Sequence, residues 1–228
     1  MDKLKVIAIN GSPRKNFSTA KLLSSFIEGA KAAGQNIEIK QINLYDYNYS
    51  GCRECYLCKL KGGRSYAKCG FKDDITNILQ EVAAADIVAF GAPIFFGDFS
   101  GQMKSFLERL FFPFARYGKD REYSIAPKKI HTAVFSAMNV PEEMRKDEYD
   151  YIMEHTIGWI KDTFGYRPET CYANYTYQFT DYDKFDAELW DEKSKREWRD
   201  TQFPKDCEKA FDIGKKLVSR AVSDVSAK

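Results

Sequence analysis

Apolar positions along the chain fall into two alternating rhythms. Lys5-Val6-Ile7-Ala8-Ile9-Asn10 is a short, nearly continuous apolar run, as expected of a strand buried on both faces. The polar loop Gly11 to Phe17 follows, then a helical face of Leu22, Leu23, Phe26, Ile27 and Ala30. Ser18 is placed to cap that helix and Gly34 to end it. Ile37 to Ile42 alternates and predicts a second strand. Ile75, Ile78, Leu79 and Val82 mark a helix, with Asp73 or Asp74 as its cap. Asp86 to Gly91 predicts a third strand, Ala92 to Asp98 a loop, and Met103, Phe106, Leu107 and Leu110 another helix. A fourth strand is expected over Ile130 to Phe135, a helix from Glu142 to about Thr163, and a fifth strand over Glu169 to Ala173. The stretch from Asp181 to Arg199 is charged and aromatic without a clear period, and a last helix runs from Cys207 to Ala221.

Strands that alternate with helices imply an α/β fold, a parallel sheet covered on both faces. The simplest topology is doubly wound and five-stranded, in the order 2-1-3-4-5, and such sheets bind ligands at the carboxyl ends of their strands. Here those ends are the loops after Asn10, Phe90 and Phe135. The 228 residues suit one domain, residues 1–228, carrying an irregular cysteine-containing loop over 45–71 and a polar extension over 181–228. That extension is expected to be a solvated face, or an arm over a neighbouring subunit.

Composition narrows the function classes. Hydrophobic residues are 44% of the chain and charged residues 30%, of mixed sign, which suits a packed core. A net charge of +2 argues against a nucleic-acid or membrane-surface partner. The start leads straight into a strand without a signal-like apolar stretch, so a cytoplasmic location is expected. No Gly-x-Ser-x-Gly elbow occurs, and neither His131 nor His155 has the spaced partners of a metal site.

Two loops carry candidate chemistry. Gly11-Ser12-Pro13-Arg14-Lys15-Asn16-Phe17-Ser18-Thr19 joins a buried strand to a helix N-terminus, where free N–H groups and the helix dipole attract a phosphate. Its hydroxyls suit a terminal monoester phosphate, and it matches neither the dinucleotide nor the Walker pattern. It also reads as an ordinary turn. Pro93-Ile94-Phe95-Phe96-Gly97 exposes a flat apolar platform, or plugs the end of the sheet. Cys52, Cys55, Cys58 and Cys69 cluster in one segment, in a spacing open to a [4Fe–4S] cluster, structural zinc or plain thiols. Ten residues, Lys59 to Lys68, separate the last two.

In combination these motifs resemble the NADPH-dependent FMN reductase family, and the cysteine segment with Asp73-Asp74 is similar to its iron–sulfur flavoprotein branch, which has a tighter final gap. The resemblance covers residues 3 to about 140. It implies a flavodoxin-like fold, bound FMN, NAD(P)H as co-substrate and a homodimer or homotetramer. It carries over Ser12, Arg14, Asn16, Ser18 and Thr19 as phosphate contacts, and Pro93, Ile94, Phe95, Phe96 and Gly97 as ring contacts. Ser136, Met138 and Asn139 would border the ring as a third loop. The activity implied is transfer of hydride from NAD(P)H through FMN to a quinone, nitro- or azo-aromatic, flavin or metal ion. Because flavin carries the chemistry, no catalytic side chain is required. The alternatives are an iron–sulfur electron carrier and a non-catalytic flavin or thiol sensor.

Overall fold

The computed structural model describes residues 3–34, 36–119 and 123–226. Residues 227–228 of the expected extension lie outside the described residues. The strands are β1 (Leu4–Asn10), β2 (Ile37–Asn43), β3 (Ile87–Phe95), β4 (Asp98–Phe99), β5 (His131–Ala137) and β6 (Glu169–Ala173). The sheet order is β2-β1-β3-β5-β6, every pair parallel, with β4 folded antiparallel onto the end of β3. Setting β4 aside, this is the expected 2-1-3-4-5 arrangement. The α/β class is flavodoxin-like.

The two faces of the sheet divide the apolar residues by alternation. Ile7, Ile9, Val88, Phe90 and Val134 face a layer of α2 (Thr76–Ala83), α3 (Gly101–Phe111) and the long helix after β5. That helix begins as α4 (Glu142–Met144), passes through a π-turn (Arg145–Tyr149) and continues as α5 (Asp150–Phe164). Val6, Ala8, Ile87, Ala89, Ala133 and Phe135 face α1 (Ser18–Ala32) and α7 (Phe203–Ser226). The outer strand β2 keeps Glu38, Lys40 and Gln41 in solvent, as an edge strand does.

Several local expectations are corrected. Ser18 is the first helical residue of α1, and the cap is Phe17, whose side chain makes no capping bond. Asp73 does not cap α2 directly. It accepts the Ile75 N–H at 3.3 Å, one residue before the helix. Pro93-Ile94-Phe95 is strand, not loop, because β3 continues beside β5 to the Pro93–Ala137 pair and then pairs with β4. The turn is confined to Phe96 and Gly97, both at positive φ.

The charged stretch after Asp181 contains a helix that periodicity did not disclose. It is α6 (Glu192–Thr201), with the Asp191 carboxylate accepting the Ser194 N–H at 2.9 Å as its cap. Its buried residue is Lys195, so it has no apolar stripe to detect. Most of the stretch is exposed, as expected of a solvated face, while Tyr182 and Lys195 are buried.

Helices α1 and α7 meet backbone to backbone. A Cβ at Gly29 would stand 1.9 Å from the Phe211 carbonyl oxygen, and one at Gly214 would stand 2.2 Å from that of Phe26. A methyl group at either place forces the helices apart. Gly29→Ala is therefore expected to lower the unfolding free energy by about 2 kcal/mol or more. The shift in urea midpoint at constant m-value checks this.

Candidate functional site

Two strands end side by side against a third that runs on. Asn10 of β1 lies opposite Asn43 of β2 and Gly91 of β3. The Gly11 N–H donates to the Gly91 carbonyl at 2.7 Å, which starts the first loop on the shoulder of β3. The same loop is then shaped by short side chains. The Asn10 Oδ1 accepts the Ser12 N–H at 3.0 Å, and the Ser12 Oγ accepts the Arg14 N–H at 3.2 Å. The buried Ser100 hydroxyl donates to the Gly11 carbonyl at 2.6 Å and so ties this loop to the start of α3.

The resulting cleft is lined by Ser12, Arg14, Ser18 and Thr19 from the first loop, Pro93, Ile94 and Phe95 from β3, and Met138 and Asn139 after β5. Residues from three separate segments thus meet around one cavity of about 100 Å³. Four others of the expected set stand differently. Asn16 lines an adjoining cavity of about 350 Å³ that shares Phe17, Ser18 and Thr176 with the first. Ser136 is fully buried, and its hydroxyl has no hydrogen-bond partner among the described residues. Phe96 is wholly exposed. Gly97 turns toward the π-turn, where a Cβ would stand 3.4 Å from the Tyr149 ring.

Thr176 and Gln178, from the segment after β6, also line the cleft. Sequence reasoning missed them. The rule that selected the other strand ends applies equally to β6 and is the signal that could have found them. Arg14 donates through Nη1 to the Gln178 carbonyl at 2.7 Å, with its guanidinium 4.0 Å from the Phe17 ring centroid. Burial pulls the Arg14 pKa down, partly offset by Tyr182. The Thr176 N–H donates to the Met138 carbonyl at 2.9 Å, joining this fourth segment to the third loop.

A family model described as NADPH-dependent FMN reductase matches residues 4–136. The chain belongs to that family. An iron–sulfur flavoprotein of Archaeoglobus fulgidus is 39% identical over 106 residues, 46% of this chain and 48% of that protein. One of Methanocaldococcus jannaschii is 35% identical over 106 residues, 46% of this chain and 51% of that protein. The matches thus span about half the length of these curated relatives. Among solved structures, an azoreductase from Bacillus anthracis is similar with a TM-score of 0.65 at 15% identity, covering 93% of this chain and 99% of that one. An NAD(P)H:quinone oxidoreductase from Methanothermobacter marburgensis is similar with a TM-score of 0.66 at 16% identity, covering 95% and 100%. At these identities the likeness establishes the fold.

The cleft of this FMN reductase family member fits a phosphate-bearing ligand on its own geometry. The α1 N-terminus opens into it with no side-chain cap and no acidic residue in its first turn, and among the described residues no carboxylate lines the cleft that its first N–H groups and dipole face. The hydroxyls of Ser12, Ser18 and Thr19 stand around that end.

The cysteine segment is held from below by Arg109 on α3, which is 1% exposed. Its guanidinium pairs with Asp73 and donates to the Phe71 carbonyl at 2.9 Å, the Ser50 carbonyl at 3.2 Å and the Cys69 Sγ at 3.3 Å. Burial alone would lower the Arg109 pKa; the bonds to Asp73 and Cys69 outweigh it, and the net shift is upward. The four thiols differ in exposure. Cys55 is exposed, Cys58 is buried, and Cys52 and Cys69 are half-buried. Among the described residues no group of three or more His, Cys, Asp or Glu is arranged to hold a metal ion. As folded, the described residues of the segment present no such ligand set.

Burial also separates the thiols by reactivity. It pushes Cys58 up, and Cys171, buried on the edge strand β6, up to about 12. The thiolate is the nucleophile, so a raised pKa means a smaller reactive fraction at every pH below it. Iodoacetamide at pH 8 is expected to label Cys55 in the native protein and to leave Cys171 unlabelled until denaturant is added. Mass spectrometry of peptides before and after denaturation reads this directly.

Proposed function

We propose that this chain is an FMN-dependent NAD(P)H oxidoreductase that passes hydride from NAD(P)H to a small acceptor, a quinone or azo-aromatic compound first among them. The observation that carries the reading is the convergence of an uncapped, acid-free helix N-terminus with an apolar ledge on the adjoining strand. Bound FMN would supply the centre that takes up and gives back the hydride.

The side chains divide the remaining work. Ser12, Ser18, Thr19 and the α1 N–H groups would hold the phosphate, with Arg14 adding charge. Asn16, in the adjoining cavity, would contact it from the outer side. A cavity of about 100 Å³ takes a phosphate-sized group, so a flat ring system would rest at its mouth. There Pro93, Ile94 and Phe95 would offer an apolar surface, and the Phe96-Gly97 turn its backbone groups. Met138 and Asn139 would border the opposite side, with Ser136 behind them. The wholly exposed Phe96, together with the exposed Tyr151 and Trp159, supports a homodimer or homotetramer in which such rings are covered. The azoreductase and quinone oxidoreductase resemblances support the choice of acceptors. No helix among the described residues is long and apolar enough to cross a membrane.

The relatives named iron–sulfur flavoproteins favour a second reading, an electron carrier with a metal cluster at the cysteine segment. One experiment separates the two. Anaerobically purified protein, reconstituted with FMN, is expected to show two resolved flavin bands, to be bleached rapidly by NAD(P)H, and to regain its colour on adding a quinone. Iron and sulfide analysis of the same sample is expected to find neither. A broad brown shoulder with about four irons per chain would instead favour the electron carrier. Flavin binding with negligible turnover would favour a sensor, and no flavin binding would sink both flavin readings. Arg14→Ala is expected to weaken FMN roughly tenfold, the worth of one charge-assisted bond, in a fluorescence-quenching titration.

A further inference from the structure

Lys195 is the buried residue of an otherwise polar helix, and it is 0% exposed. Its ammonium donates to the Asn139 carbonyl at 2.9 Å, to the Asn139 Oδ1, and to the Thr176 carbonyl at 3.4 Å. The Tyr175 and Trp190 ring centroids lie 3.9 Å and 4.9 Å from Nζ. Among the described residues no carboxylate pairs with it. The other two large buried cations, Arg109 and Arg145, both have one.

A lysine charge removed from water without a counter-ion is costly, even when carbonyl oxygens and ring faces surround it. Burial accordingly lowers its pKa to about 8, which leaves it mainly protonated at neutral pH. The cost falls at the third loop of the cleft, because both Asn139 and Thr176 line that cleft. Tyr175, the residue between Asn174 and Thr176, is held at a positive φ of 50° in the same cluster. Backbone strain of this kind persists only where the surroundings enforce it.

The ammonium also settles the orientation of a carboxamide. An asparagine side chain has an accepting oxygen and a donating nitrogen of similar shape, whereas an ammonium has donors only. The Asn139 Oδ1 must therefore face Lys195, which leaves Nδ2 as the donor available to the cleft.

We propose that Lys195 is a positioning residue for the FMN site: it fixes the Asn139 amide as a hydrogen-bond donor to the ring and sets a positive charge behind the third loop. This rests on the flavin reading above and goes beyond it by naming a residue from the C-terminal segment that acts through Asn139. An electron-rich reduced flavin gains more from a nearby donor and a positive charge than the oxidised form does. Lys195 thereby raises the midpoint potential of the bound cofactor as well as its affinity.

The test uses the full chain with added FMN and reads the dissociation constant and the midpoint potential rather than turnover. Lys195→Met keeps the length of the stem and removes the charge. It is expected to weaken oxidised FMN about tenfold and reduced FMN by a further tenfold, which makes the potential about 30 mV more negative for a two-electron couple. Asn139→Ala is expected to shift both quantities in the same direction. The double variant should add little to either, as for residues acting in series. A folded Lys195→Met protein with unchanged affinity and potential overturns the proposal, as do fully additive effects. Should Lys195→Met fail to fold, Asn139→Ala decides: unchanged affinity and potential overturn it. If the unaltered chain binds no FMN, the flavin reading falls and this inference with it; if it binds and the variants do not differ, only this inference falls.

Discussion

The parallel ladder ties the ends of β1, β3 and β5 to one another, and everything around the cleft is built on that tie. Asn10, the end of β1, lies opposite Gly91, and Ala137, the end of β5, lies opposite Pro93, so the first and third loops leave two residues apart along β3, which runs on between them to Phe95. Strands buried on both faces cannot slip in register without moving every apolar side chain to the wrong layer. The loops therefore inherit their relative positions from a core that resists adjustment. Short bonds from Asn10, Ser12 and Ser100 then shape the first loop from within.

The parts legible in the sequence are those with a strong period. Val6 to Ile9, Ile87 to Phe90 and Thr132 to Phe135 read as buried strands because continuous burial leaves a continuous apolar run. The first loop is legible for a different reason: it stands where β1 delivers its chain to the carboxyl end of the sheet, whereas most of the second expected loop is strand. The rest was hidden by physics that leaves no period. Helix α6 turns a lysine inward beside the half-buried Trp198 and keeps most of its other residues in water, which inverts the usual pattern. Pro93 looked like a break, yet β3 accommodates it beside β5. Thr176 and Gln178 sit in a segment without regular structure, and only the geometry of β6 brings them to the cleft.

Irregular segments of this fold are held by buried cations packed against aromatic rings. Arg109 lies 5.3 Å from the Phe71 ring centroid under the cysteine segment, and Arg145 lies 4.7 Å from that of Tyr172 at the π-turn. Lys195 plays the same part beside Tyr175. All five non-glycine residues with positive φ among the described residues, Glu54, Tyr56, Ala67, Phe96 and Tyr175, lie in the cysteine segment or in the turns beside the cleft. Such cations supply several donors at once, and the aromatic face accepts the charge from the remaining side.

The Arg109 contacts have a consequence for how this lineage can vary. Its guanidinium reaches Ser50, just before the first cysteine, and Cys69, Phe71 and Asp73 at and beyond the last, so one side chain closes the stretch between them like the clasp of a necklace. What hangs between the clasped ends, including the basic stretch Lys59 to Lys68, can lengthen or shorten at little cost to the strands below, because lengthening a closed loop costs only slowly growing entropy. The fold thus carries an insert whose length can change without rebuilding the frame that presents it.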